Sequence, residues 1–132
     1  MARSIGVIVL GFVLIGVLSF GADAVLRSVM PGAFDATGRV DSTPVLLLTI
    51  LYVGLFATLG CYLTARLAPN HPMRHALILG ALGLAFNIAG TISLWDTAPA
   101  WYHIVSLALV MPYAWLGGWL RERQVQGRRA MA

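Results

Sequence analysis

Five polar side chains stand inside or beside otherwise apolar stretches of this sequence: Ser19, Asp23, Asn87, His103 and Ser106. An ionisable group in such a stretch is costly and marks function by default. A carboxylate beside an imidazole makes a proton-binding pair. Asp23 and His103 come at matching depth, near one end of their stretches, while Asn87 and Ser106 lie deeper. The five therefore form a candidate polar cluster lining an entry. Three of them also have a local reading. Arg27 follows Asp23 by one helical turn, well placed for an ion pair. His103 follows Trp101 and Tyr102 in an aromatic belt, and Asn87 is of the type that hydrogen-bonds between helices.

Other reactive residue types offer less. His71 and His75 have the spacing that sets two imidazoles on one helix face. Pro72 lies between them and no third ligand is near, so no metal site is expected. Cys61 stands alone in an apolar stretch and reads as packing. No phosphate loop, nucleophile elbow, dinucleotide fingerprint or zinc-protease helix is present. Neither a cofactor nor catalysis is expected.

The elements that position these residues follow from composition. Of 132 residues, 59% are hydrophobic and only 11% are charged, where a soluble domain carries roughly a quarter charged. Mean hydropathy is +0.83. Apolar stretches over 4–26, 44–66, 73–95 and 100–120 each approach the roughly 20 residues that cross a bilayer as a helix. None alternates as barrel strands do, and backbone groups in hydrocarbon must be satisfied within the element. The expected fold is all-α: an integral membrane four-helix bundle, one domain over 1–132 that ends in a basic tail over 121–132. Thr43 before Pro44 reads as a helix start, as do Pro72 and the Asp96–Pro99 linker, and Pro112 as a kink. The first stretch has a rival reading as a secretory signal peptide, with Ala22-Asp23-Ala24 as a small-x-small cleavage pattern. Its apolar run is longer than usual and resumes after Asp23, so it is read as an uncleaved span.

Charge sets the orientation. All nine basic residues are arginine; Arg3, Arg66, Arg74, Arg121, Arg123, Arg128 and Arg129 fall at one side of the spans, and only Arg27 and Arg39 at the other. The side rich in arginine is cytoplasmic by the positive-inside rule, so both termini are expected there. Asp23, Asp35, Asp41 and Asp96 fall outside. Trp95, Trp101 and Tyr102 make an outer aromatic belt, and Tyr113, Trp115 and Trp119 an inner one. The tail arginines suit anionic lipid headgroups and are not read as a nucleic-acid site.

Two stripes of small residues suit close helix contact in a membrane. They are Gly54, Ala57, Cys61 and Thr64 on the second span, and Ala76, Gly80, Gly83, Asn87 and Gly90 on the third. They are expected to meet within that hairpin or across a dimer. From Tyr62 to Leu120 the chain resembles an uncharacterised family of small four-span bacterial inner-membrane proteins. The features that carry the likeness are TARLAPNHPMRHALILGALGL, the Gly90 region, Trp95, Trp101-Tyr102 and PYAWLGGWL. The resemblance implies a multi-pass protein of the bacterial plasma (inner) membrane and no activity.

The function expected from these features is that of a non-enzymatic accessory or self-associating helical protein, held by its small-residue stripes to a membrane-protein partner or to its own copies. The alternative is a small transporter or channel whose outward-facing entry is the five-residue cluster. A periplasmically active reporter fused after Ala132 is expected to stay silent, and activity there overturns the orientation.

Overall fold

The structure, a computed structural model, describes residues 2–131. Met1 and Ala132, the outermost residues of the expected domain and tail, lie outside the described residues. Four helices make the chain: α1 (Ala2–Val29), α2 (Thr43–Leu67), α3 (Pro72–Ser93) and α4 (Ala100–Ala130). Among the described residues there are no strands. All four helices are long and apolar enough to cross a membrane.

Helix ends follow local chemistry, with several shifts from the sequence reading. Helix α1 runs to Val29, three residues beyond expectation, and stops where Pro31 can no longer continue it. The cap of α2 falls on Ser42 rather than Thr43, without a side-chain bond. Pro72 opens α3, and His71 before it turns the chain with a left-handed φ of 48°. Helix α3 ends at Ser93, so Trp95 belongs to a 3-10 turn over Trp95–Thr97. The basic segment after Leu120 is no separate tail: α4 passes unbroken through Pro112 and continues to Ala130. Its Arg, Glu and Gln residues favour helix, and Arg128 and Arg129 in the last turn suit the negative end of the helix dipole.

The bundle has a close-packed end and an open one. Helix α4 packs against α2 and α3, while α1 packs mainly against α2 and less against α3, with next to no contact to α4. At the end carrying the termini and the α2–α3 turn, small residues let the backbones approach. Gly11 of α1 sits against Gly60, Thr64 and Leu79, and Gly80 of α3 against Ala114 of α4. Gly118 meets Met73 and Ala76, and Gly117 lies on the backbone of α2 at Thr58 and Tyr62. Cys61, Ala65, Ala76, Leu79 and Ala114 form the buried core there.

Both small-residue stripes are thus used inside the chain: Cys61 and Ala76 share the buried core, and both stripes also pack against α1 or α4. Gly54 receives the ring of Tyr113, Cys61 and its neighbours receive Gly117, and Thr64 receives Gly11. The α3 stripe faces α4 through Ala76 and Gly80, while Gly90 meets nothing. Large apolar side chains mostly face outward instead; Phe20 is 78% and Ile92 75% exposed. Helices apolar all round, with that much apolar surface left outside, suit lipid rather than water.

The α2–α4 contact gives a sharp test. A Cβ on Gly117 would stand 2.7 Å from the Thr58 carbonyl oxygen and 2.8 Å from the Tyr62 nitrogen, so helices must part to admit it. Gly117→Ala is expected to lower stability by about 1–3 kcal/mol. Gly6→Ala, which meets nothing within 4 Å, is expected to change it by less than about 0.5 kcal/mol. Reversible unfolding in mixed micelles reads both; equal effects would sink the account of the close-packed end.

Candidate functional site: a cavity at the loop end

Beyond the close-packed end the helices part around a cavity of about 740 Å³. It is walled by the second half of α1, the first half of α2, the second half of α3 and the first half of α4. Phe12, whose ring lies 4.7 Å from that of Phe86 across the α1–α3 seam, stands at its base. Tyr113, expected in the inner aromatic belt, instead lays its ring on Gly54 and lines the cavity from below. Tyr102, assigned to the outer belt, lines it near the loops.

All five residues of the expected cluster line this one cavity, though none is hydrogen-bonded to another. The Asp23 carboxylate accepts the hydroxyl of Tyr52 on α2, not a proton from His103. Nor does it pair with Arg27, whose guanidinium lies over the Phe34 ring at 4.7 Å. His103 is buried, stacks on Trp95 at 5.2 Å, and its Nε2 lies 3.1 Å from the Trp95 carbonyl oxygen. It thereby fastens the α3–α4 connection to the start of α4. The Asn87 amide donates to the carbonyl of Gly83 in its own helix at 3.0 Å, in place of the interhelical bond expected. Ser106 lines the wall one turn below Tyr102. Ser19 Oγ is buried with no hydrogen-bond partner.

Tyr52 is the residue that sequence reasoning missed. Counting from their loop-end helix termini, Asp23 and Tyr52 reach comparable depth on antiparallel neighbours, and that bookkeeping could have paired them. The remaining wall is largely apolar, with Ile15, Val53 and Val110 among its residues. An apolar chamber with a few polar groups toward one end is the usual form of a small-molecule site. No three of His, Cys, Asp and Glu stand together as metal ligands among the described residues.

Two connections roof the loop end. In the first, Asp35 Oδ1 accepts from Thr37 Oγ1 at 2.7 Å and from the Thr37 and Arg39 amides at 2.8 Å. Gly38 completes that turn with a φ of 82°, a conformation that favours glycine. Arg39 then pairs with Asp41 at 2.9 Å and donates to the Asp96 carbonyl at 2.8 Å. The Val40 amide donates to the Thr97 carbonyl at 2.9 Å. These bonds tie the α1–α2 loop to the α3–α4 loop across the cavity mouth.

Comparison with known proteins finds no matching family model, no matching curated protein and no matching solved structure.

The Asp35 turn responds to pH in a defined direction. Hydrogen bonds from the Thr37 hydroxyl and the Arg39 amide hold its carboxyl below the ordinary 3.8. A carboxyl lowered on folding stabilises above its unfolded value, and that stabilisation fades as pH falls through the folded one. The Thr37 and Arg39 amides are therefore expected to remain protected from hydrogen exchange at pH 5. Protection should be lost only below about pH 3.8; loss already at pH 5 would contradict the turn.

Proposed function

We propose that this chain is a small multi-pass protein of a bacterial plasma (inner) membrane, with both termini cytoplasmic. On this reading it holds a small apolar or amphipathic molecule in the cavity beneath its outer loops, as a transporter-class binding protein. The observation that carries it is the convergence of Ser19, Asp23, Asn87, His103 and Ser106 on one 740 Å³ space. Arginine distribution supports the orientation: seven lie at the close-packed end and two at the loop end.

The geometry favours a carrier over a channel. Below Tyr113 the backbones meet through Gly11, Gly60, Gly80 and Gly117, which leaves the chamber blind at its cytoplasmic side. The apolar lower wall suits a hydrocarbon portion, and the polar groups nearer the loops suit a hydrogen-bonding end. Self-association has weaker support than the stripes alone suggested, because α2 and α3 use most of them against α1 and α4.

Native mass spectrometry of the full chain, released from mild detergent, tests this reading. The wild type is expected to carry one small molecule per chain. Ser106→Phe, which puts a ring into the cavity, should reduce its occupancy roughly tenfold. Equal occupancy in both, or none in either, would end the cavity reading. A stoichiometric protein partner in its place would restore the accessory role.

A further inference from the structure

The continuation of α4 beyond Leu120 builds a second site at the opposite end, independent of what the cavity holds. Arg121, Gln124 and Arg128 recur at i, i+3 and i+7 and so share one face of α4. That face meets Tyr62 and Arg66, one turn apart at the end of α2, around a groove of about 460 Å³. Tyr62 donates its hydroxyl to Gln124 Oε1 at 2.7 Å, which pins the two helices together and leaves the Gln124 NH2 as a donor. Three arginines, two of them exposed, thus line one groove with no carboxylate among its lining residues. Glu122, the nearest acid in sequence, is not part of it. The Arg121 Nε is buried without a hydrogen-bond partner. Among the described residues the one side-chain ion pair is Arg39–Asp41, at the far end of the molecule.

Cations that share one groove without a carboxylate in its lining are stabilised by an anion seated there. Guanidinium forks match the oxygens of a phosphate group two at a time. We propose that the α2–α4 groove of Arg66, Arg121 and Arg128 is a phosphate-binding site, for a phospholipid headgroup or a free phosphate. Arg66 and Arg121 each stand at the end of a long apolar stretch, 44–66 and 100–120, which on the membrane reading is the depth of headgroup phosphates. Arg123 is outside the set, its guanidinium lying 4.2 Å over the Trp119 ring.

The thermal midpoint of the full chain in neutral detergent, titrated separately with phosphatidylglycerol, phosphatidylcholine and inorganic phosphate, tests the site. A rise with phosphatidylglycerol alone assigns the groove to lipid; a rise with inorganic phosphate assigns it to the free anion. In either case Arg121→Gln is expected to weaken the apparent Kd about tenfold, and Arg123→Gln to leave it unchanged. Arg121→Lys, which keeps the charge but loses the fork, should also weaken it and guards against a folding defect in the first variant. The proposal is overturned if neither phosphatidylglycerol nor inorganic phosphate raises the midpoint, or if Arg121→Gln leaves the apparent Kd unchanged. It is overturned equally if Arg123→Gln matches Arg121→Gln, since that would mean diffuse charge rather than a built site.

Discussion

The approach of backbones through glycine at the terminal end is the constraint on which the rest of the molecule depends. On the membrane reading proposed above, apolar side chains gain nothing by leaving the solvent, so helices adhere where small residues permit close van der Waals contact. Gly11, Gly60, Gly80, Gly117 and Gly118 supply such contact between α1 and α2, α3 and α4, α2 and α4, and again α3 and α4. Past that level the facing residues change size. Phe12 meets Phe86 and Tyr113 fills the space over Gly54, while Gly16, Gly21 and Gly90 have no neighbour within reach. Helices drawn together at one end and separated by rings farther along must diverge, and the cavity is the volume between them.

A diverging bundle needs a second restraint at its open end, and the loops provide it with polar bonds rather than packing. The Asp35 turn organises the α1–α2 connection, and Arg39 carries that order across to Asp96. His103 does the same for the α3–α4 connection by holding the Trp95 carbonyl and stacking on its ring. Between the two ends, among the described residues, the Tyr52–Asp23 bond alone crosses from α1 to α2 at the cavity wall. The chamber therefore has fixed ends and few cross-links at its middle, where its lining can adjust to an occupant.

Much of this was legible in the residue order, for reasons that also explain what was not. Four apolar stretches bounded by Pro31, Pro44, Pro72 and Pro99 can form little except four helices, and charge placement sorts their ends. Depth along a helix is a one-dimensional quantity, so Asp23, His103, Asn87 and Ser106 could be grouped by counting. Azimuth is not, because helices apolar on every side carry no periodic mark of which face turns inward. That is why Asp23 was matched with His103 rather than Tyr52, and why the further contacts of the α2 and α3 stripes with α1 and α4 were not foreseen. The extension of α4 was hidden differently: a charged run after a span reads as an exit, although its Arg, Glu and Gln residues are sound helix formers.

That extension gives the molecule opposite electrostatic ends. Asp23, Asp35, Asp41 and Asp96 belong to the loop end, where Arg39 is paired with Asp41 and Arg27 is engaged with Phe34. Seven arginines and a single glutamate occupy the other end. Had α4 stopped at Leu120, these arginines would have been a diffuse cloud sufficient for orientation alone. Held in register by a helix and by the Tyr62–Gln124 bond, three of them converge on a defined groove. The same α2–α4 contact through Gly117 that closes the cavity from below brings Arg66 beside Arg121. The blind end of one site and the wall of the other thus rest on a single helix pair, and loosening that pair disturbs both.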